Sequence, residues 1–409
     1  MNQTQNVLIK LLSNAIHNIE PIQMMPGEYD WNSIYEIAYL HQVHTLLFPI
    51  IIRLSAEYRP SAELVTQWEE AALQSAGIQL TEMHRLSDLL RTFQQAGLPV
   101  IILKGLILRR LYPQPELRTM SDADILVHEY DLEKASALLQ SLGYTKGEVS
   151  IKHISFYHRY FQTVELHSML VDTDLFPAAK IISDQLWMTA VKVDFYGAAV
   201  LALSPEYQLL HLILHMASHM QNYGFGLRQL CDYTLTAEAY KDRIDWGLLE
   251  LMLENCKTVR FAQIITALCN QLFGLDIPHC SLNSKDIDAL HLEAFLDDII
   301  TGGVYGKNDT SRKISSSFLH YVNDISLKHP SSHIKFLLQY TFPSRRKLEN
   351  RHFYVKKYPF LLPLGWIHRL INSILRKDMS AREKLFFSKR NRSFIHSRAK
   401  LLHWLGLRH

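Results

Sequence analysis

The sequence predicts an α+β protein, with a small mixed β-sheet core flanked by helices, a helical N-terminal region and a larger helical C-terminal region. Three observations carry this. The first ~95 residues and the stretch after Ser204 keep apolar residues at helical spacing. Between them, short β-branched runs ending in turn residues replace that spacing. Hydrophobic residues make up 48% and charged residues 20% of 409, while Gly 16 and Pro 14 are too few for a loop-dominated chain. At roughly 100–200 residues per domain, the length suits two or three domains. The expected divisions are 1–96, 97–203, 204–340 and 341–409.

In order, Ser61 after Pro60 reads as the N-cap of a long helix, and Gly97 as its stop. PVIILKG, from Pro99 to Gly105, suits a buried strand. LILRRLYPQP is a helical turn or two halted by Pro113 and Pro115. SDADILV, from Ser121, is a second strand. DLEKASALLQSLGY is a helix, with Asp131 at its N-cap and Gly143 at its stop. ISFYHRYFQTVELHSML holds two strands in a hairpin around Arg159–Phe161. VKVDFYGAAVLAL closes the block as strand and turn. Ser204 and Pro205 open the next helix, as N-cap and first helical residue.

The four cysteines (Cys231, Cys256, Cys269 and Cys280) show no CxxC spacing, which argues against a zinc ribbon or a disulfide framework. No apolar run approaches ~18 residues, so no membrane span is expected. The N-terminus lacks a signal-peptide pattern, and a cytoplasmic address is the expectation. Charge is uneven. Residues 345–409 hold 17 Lys and Arg against 3 Asp and Glu. This stretch, with Trp366, Phe386, Phe387 and Trp404, suits an RNA or anionic-surface partner. It equally suits a basic surface packed over an acidic body of the same chain.

Asp122 and Asp124 lie two apart on a strand and so share a face. Two adjacent carboxylates repel, and a hard cation such as Mg²⁺ resolves the repulsion. Glu165 in TVELHSML supplies a third carboxylate, with His167 on its face. Three carboxylates on adjacent strands would suit a two-metal site for displacement at phosphorus. Taken singly, such residues are also ordinary at exposed strand ends. Lys104-Gly105, between a strand and a helix, suits phosphate binding by backbone N–H groups and a lysine charge. Arg118, Thr119 and Ser121 are further phosphate donors in prospect, although Arg118 also suits a pairing with a nearby acid. His211, His215 and His219 share a helix face, which suits packing beside the α/β block or lining a cleft; the absence of HExxH speaks against zinc. No Walker A, GxSxG or GxGxxG pattern is present.

The order of strand, KG, helix, YP-P-LR, DxD-ILV and VELH resembles the nucleotidyltransferase fold of the DNA polymerase β type. Within it, the segment is similar to a large bacterial group of uncharacterised nucleotidyltransferases. That pattern continues through LLHLILHMASHM, LRQLCDY and IDWGLLELM, over roughly residues 95–270 and more weakly to 342–366. The resemblance implies that 97–203 is the nucleotidyltransferase core. It implies that Asp122, Asp124 and Glu165 are catalytic and hold Mg²⁺ on an NTP such as ATP. Lys104, Gly105, Arg118 and Ser121 would bind the nucleotide, with His167, His211 and His215 lining the cleft. The chain departs from the superfamily in two places: Lys-Gly stands where Gly-Ser or Gly-Gly is usual, and Glu165 where Asp is usual. The implied activity is nucleotidyl transfer from an NTP to a hydroxyl acceptor, releasing pyrophosphate. The pattern also resembles toxin nucleotidyltransferases that act on tRNA. A degenerate nucleotide-binding or scaffold protein without catalysis is the third alternative.

Overall fold

The computed structural model describes residues 1–20, 29–150, 152–173, 175–278, 280–283, 286–304, 353–375 and 392–408, together with 312, 338, 342–345 and 348. Two compact units divide the chain: 1–218 with 224–305, and 219–223 with 306–409. The first opens with helices α1 (Gln3–His17), α2 (Trp31–Leu40), α3 (His44–Ile51) and α4 (Ala62–Gln95). Ser61 caps α4 as expected, its hydroxyl accepting from the Leu64 N–H, and Gly97 follows with φ +67°. The buried stripe of α4 runs Leu64, Trp68, Ala72, Gln79, Met83, Leu86, Leu90, Phe93. That helical period lays one face of α4 along the sheet and the neighbouring helices.

The sheet has seven strands in the order β3-β4-β5-β2-β1-β7-β6. These are β1 (Ile101–Ile102), β2 (Asp122–Leu126), β3 (Thr145–Val149), β4 (His153–Tyr157), β5 (Thr163–His167), β6 (Val191–Phe195) and β7 (Ala198–Ala202). Helices α5 (Gly105–Leu108), α6 (Leu132–Ser141) and α7 (Ala179–Thr189) interrupt them. β2 runs parallel to β5, and β1 parallel to β7; the other neighbours are antiparallel. The mixed sheet and the β4–β5 hairpin match the sequence reading. β3 was not expected; its side chains are almost all exposed on the sheet edge, so it carries no apolar alternation. Tyr196 and Gly197, with φ of 52° and 83°, make the tight turn from β6 to β7.

Helices α8 (Pro205–Asn222), α9 (Leu227–Tyr240), α10 (Trp246–Asn255), α11 (Val259–Phe273) and α12 (Ala289–Gly302) follow. α9 supplies the buried anchor of the segment leading into β2. Asp232 accepts from Arg118 Nη2 at 2.6 Å and Nε at 3.0 Å, and from the Tyr112 hydroxyl at 2.7 Å. Burial disfavours the Arg118 charge, but Asp232 outweighs it and raises the guanidinium pKa. Arg228 Nη1 donates to the Thr119 carbonyl at 2.8 Å. The Met120 carbonyl accepts from Gln79 and Gln162. Residues 118–120 are thus fixed from four sides, and they set where Asp122 begins.

His41 is a second buried tie. Its Nδ1 accepts from the Leu227 N–H at 3.1 Å, while Nε2 lies 3.0 Å from the Ile300 carbonyl and donates to it. Burial lowers its pKa from 6.5 to about 4.

In the second unit, α13 (Phe353–Lys357), α14 (Leu362–Leu375) and α15 (Arg392–Trp404) are described. Trp366 Nε1 donates to the Pro343 carbonyl at 2.9 Å, and its ring meets Phe342 edge-on. Phe386 and Phe387 lie outside the described residues. No helix is long and apolar enough to cross a membrane among the described residues.

Two outcomes are expected. Replacing Arg118 by Ala leaves Asp232 charged and buried without its cation, and should cost about 3–5 kcal/mol in urea unfolding. A loss under about 1 kcal/mol would place the pair among exposed ion pairs instead. His41 binds its proton only in the unfolded chain between pH 6.5 and about 4. Its stabilisation is therefore complete above pH 6.5 and falls as pH drops through that window, by about 1.4 kcal/mol per pH unit. Because His44, His153 and His211 are lowered by burial as well, His41→Gln should reduce the slope of the unfolding free energy in this window by that amount without abolishing it; an unchanged slope would show that His41 carries none of it.

Candidate functional site

The site is built on the paired strands β2 and β5. Their parallel register sets Asp122 opposite Thr163, Asp124 opposite Glu165 and Leu126 opposite His167. Side chains two apart on a strand share a face. Asp122, Asp124, Glu165 and His167 therefore converge. The intervening Ala123, Ile125, Val164 and Leu166 are buried in the core on the other face.

Asp124, 4% exposed, is the centre of the cluster. Its Oδ1 accepts from Lys104 Nζ and from His167 Nε2, both at 2.8 Å. Burial opposes its charge, but Lys104 and His167 hold its carboxyl well below the usual range. Lys104 responds in the opposite sense: burial opposes its charge, and Asp124, Glu165 and Asp122 together raise its pKa. Asp122 lacks such a partner. Burial and the Asp124 charge raise its pKa, against a lowering by Lys104. Its Oδ1 accepts only a 3.1 Å hydrogen bond from the Ser121 hydroxyl among the described residues. Glu165 is lowered. Burial and Asp124 oppose its charge, while the His167 hydrogen bond, Lys104 and His153 prevail.

Lys104 has φ 45° and ψ −120°, a conformation that favours glycine. Strain of this kind is held in place by its surroundings, here by the ion pair to Asp124. The Leu106 N–H bonds to the Leu103 carbonyl, and those of Ile107 and Leu108 to that of Lys104. A Cβ on Gly105 would lie 2.6 Å from both Arg118 Nη1 and Met120 Sδ. The turn therefore packs tightly on 118–120, and the Lys104 side chain carries its charge to the acidic face. Arg118 itself lies on Asp232, with Nη1 donating to the Thr119 carbonyl. Ser121 is exposed beside Asp122.

His211 is buried, and its Nδ1 has no hydrogen-bond partner among the described residues. Burial and Lys104 hold its pKa well below the usual value; Asp124 acts in the opposite sense. His215, half-buried, meets it edge-on at 6.1 Å. His219 belongs to the second unit.

Two residues join the site without having been singled out in the sequence. His153 lies opposite His167 on β4, its Nδ1 3.7 Å from Glu165 Oε2. Burial lowers its pKa to about 4. Lys152 precedes it, lowered by burial and by Lys104, with Glu165 and Asp124 opposing. The signal for both was present: a hairpin centred on Tyr160 pairs residue 153 with 167 and 155 with 165.

Five chains of known structure are similar to this one, three of them as follows. One is the antibiotic-resistance factor ANT(2'')-Ia, 14% identical, covering 42% of this chain and 90% of that one, with a TM-score of 0.33. Another is the lincomycin-bound lincosamide antibiotic adenylyltransferase LnuA, 14% identical, covering 38% and 94%, with a TM-score of 0.27. The third is an antigenic nucleotidyltransferase-like protein from Paracoccidioides brasiliensis, 18% identical, covering 50% and 97%, with a TM-score of 0.33. Among curated proteins none matches. Residues 27–274 match the family described as "Uncharacterised nucleotidyltransferase", and with more than half its length inside that match the chain belongs to this nucleotidyltransferase family.

Proposed function

We infer that this protein is a Mg²⁺-dependent enzyme that moves a nucleotidyl group from an NTP, ATP being the first candidate, to a hydroxyl acceptor. The observation that carries the reading is the β2–β5 register, which sets Asp124 against Glu165 with Asp122 on the same face.

The donor set suits a hard divalent cation. Three carboxylates share the face, and only Asp124 makes a hydrogen-bonded pair with a lysine. Asp122 is left with an uncompensated charge that its burial penalises. A cation held by Asp122, Asp124 and Glu165 would relieve that penalty. Bound there, Mg²⁺ would neutralise phosphate charge and polarise the phosphoryl group.

The chain's own residues have these roles. Lys104 Nζ and the neighbouring Lys152 offset the triphosphate charge. Glu165 Oε2 accepts the proton of the acceptor hydroxyl as its oxygen bonds to the α-phosphorus. The bond from that phosphorus to the bridging oxygen breaks, and pyrophosphate leaves with the electron pair. His167 Nε2, close to both Asp124 and Glu165, keeps the two carboxylates in register. Arg118 takes no part in phosphate binding in this reading, because its donors hold residues 118–120 in place.

The test is transfer of label from α-³²P-ATP, and from the other NTPs, in the presence of Mg²⁺ and fractionated cell RNA or small molecules. Asp122→Asn and Asp124→Asn should each lower transfer by about 10²–10³-fold or more. Lys104→Met should act mainly on KM, by roughly 10–100-fold, the worth of a hydrogen bond to a charged group. Turnover in the aspartate variants equal to that of the unaltered protein would remove the assignment. Label on RNA would identify the acceptor as RNA; label in the small-molecule fraction would exclude it.

A further inference from the structure

We propose that His153, Glu165 and His167 form a second cation site, a two-histidine, one-carboxylate set that takes a borderline divalent transition-metal ion such as Co²⁺, Cu²⁺ or Zn²⁺.

The geometry is that of a metal set. One ligand atom from each of His153, Glu165 and His167 lies within 4.8 Å of the other two. Glu165 Oε2 is 3.4 Å from His167 Nε2 and 3.7 Å from His153 Nδ1. Ligand atoms about 2.0–2.2 Å from a common ion stand roughly 3.0–3.5 Å apart. As a hydrogen bond, 3.7 Å is too long. The His153 Nδ1 is buried and has no hydrogen-bond partner among the described residues. An ion between it and Glu165 supplies the missing partner.

The strands present all three groups together. Glu165 and His167 are two apart on β5, and the antiparallel register sets His153 directly opposite His167 on β4. The two imidazoles are tilted by 48° with centroids 5.0 Å apart, so they are close without being stacked. In this structure His167 Nε2–H donates to Asp124, while Nδ1 has no hydrogen-bond partner among the described residues. A cation at Nε2 would take the place of that proton, which moves to Nδ1. The charges around the set are mixed: Asp124 and Asp122 favour a cation, while Lys104 and Lys152 oppose it. Imidazole with carboxylate selects the later first-row ions, whereas all-oxygen sets select Mg²⁺. The site thus differs in kind from the Asp122–Asp124 pair beside it. The inference rests on the proposed function only in sharing Glu165.

The test uses the full chain loaded with Cu²⁺ alone, an imidazole-preferring ion, and examined by pulsed electron paramagnetic resonance. Modulation from two imidazole nitrogens is expected; an oxygen-only ion overturns the proposal. Titration with Co²⁺, followed by its visible absorption, gives the affinity. His153→Ala should weaken it by about tenfold or more, and Asp122→Asn should not. Equal affinity in His153→Ala, or a loss confined to Asp122→Asn, overturns the proposal as well. An oxygen-only ion with nucleotidyl transfer intact sinks this inference alone, and nitrogen coordination without transfer sinks the transfer reading alone.

Discussion

The site depends on how three carboxylates are held on one face of a sheet without driving it apart. Asp124 lies directly across from Glu165, and Asp122 stands one pleat away on the same face. Lys104 and His167 both donate to one oxygen of Asp124, which fixes the most buried of the three as an anion. The remaining two then differ: His167 stabilises the charge on Glu165, while burial and Asp124 disfavour the charge on Asp122. One side of the cluster is closed by the protein's own donors, and the other retains an acidic group whose charge burial disfavours.

The scaffold around the cluster follows from the same need for exact placement. A strand of five residues has little to fix its start, so the segment before it is tied by residues far along the chain. Arg118 and Asp232 are 114 positions apart, and the pair is bidentate and buried. Arg228, from the same helix as Asp232, holds Thr119. Gly105 lets Arg118 and Met120 approach the turn that carries Lys104. The helical region thus serves the α/β sheet within one unit, and a disturbance in α9 would be felt at Asp122.

Much of this was legible in the sequence, for identifiable reasons. The helix before the sheet announced itself through Ser61, Gly97 and a regular apolar stripe. The carboxylate face followed from period-2 geometry, and the hairpin around Tyr160 contained the β4–β5 pairing. Glu165 and His167 stood out because they lie in an apolar strand. His153 did not, because its partner is on another strand and its role appears only when residues are paired across the turn. β3 is exposed at the sheet edge and left no hydrophobic pattern. The register of β2 against β5 is set by tertiary packing across a long connection, and local patterning does not encode it. Arg118 shows the limit most clearly: a basic residue just before DxD suits phosphate, yet its acid partner is remote in sequence.

The most direct test of the central claim is where the bond to phosphorus breaks. The full-length protein would be given Mg²⁺, an acceptor fraction and ATP labelled in parallel at the α- or the γ-phosphate. The account expects α-label to become attached to acceptor while γ-label leaves as pyrophosphate. Release of γ-label as inorganic phosphate, with no α-label transferred, would contradict it.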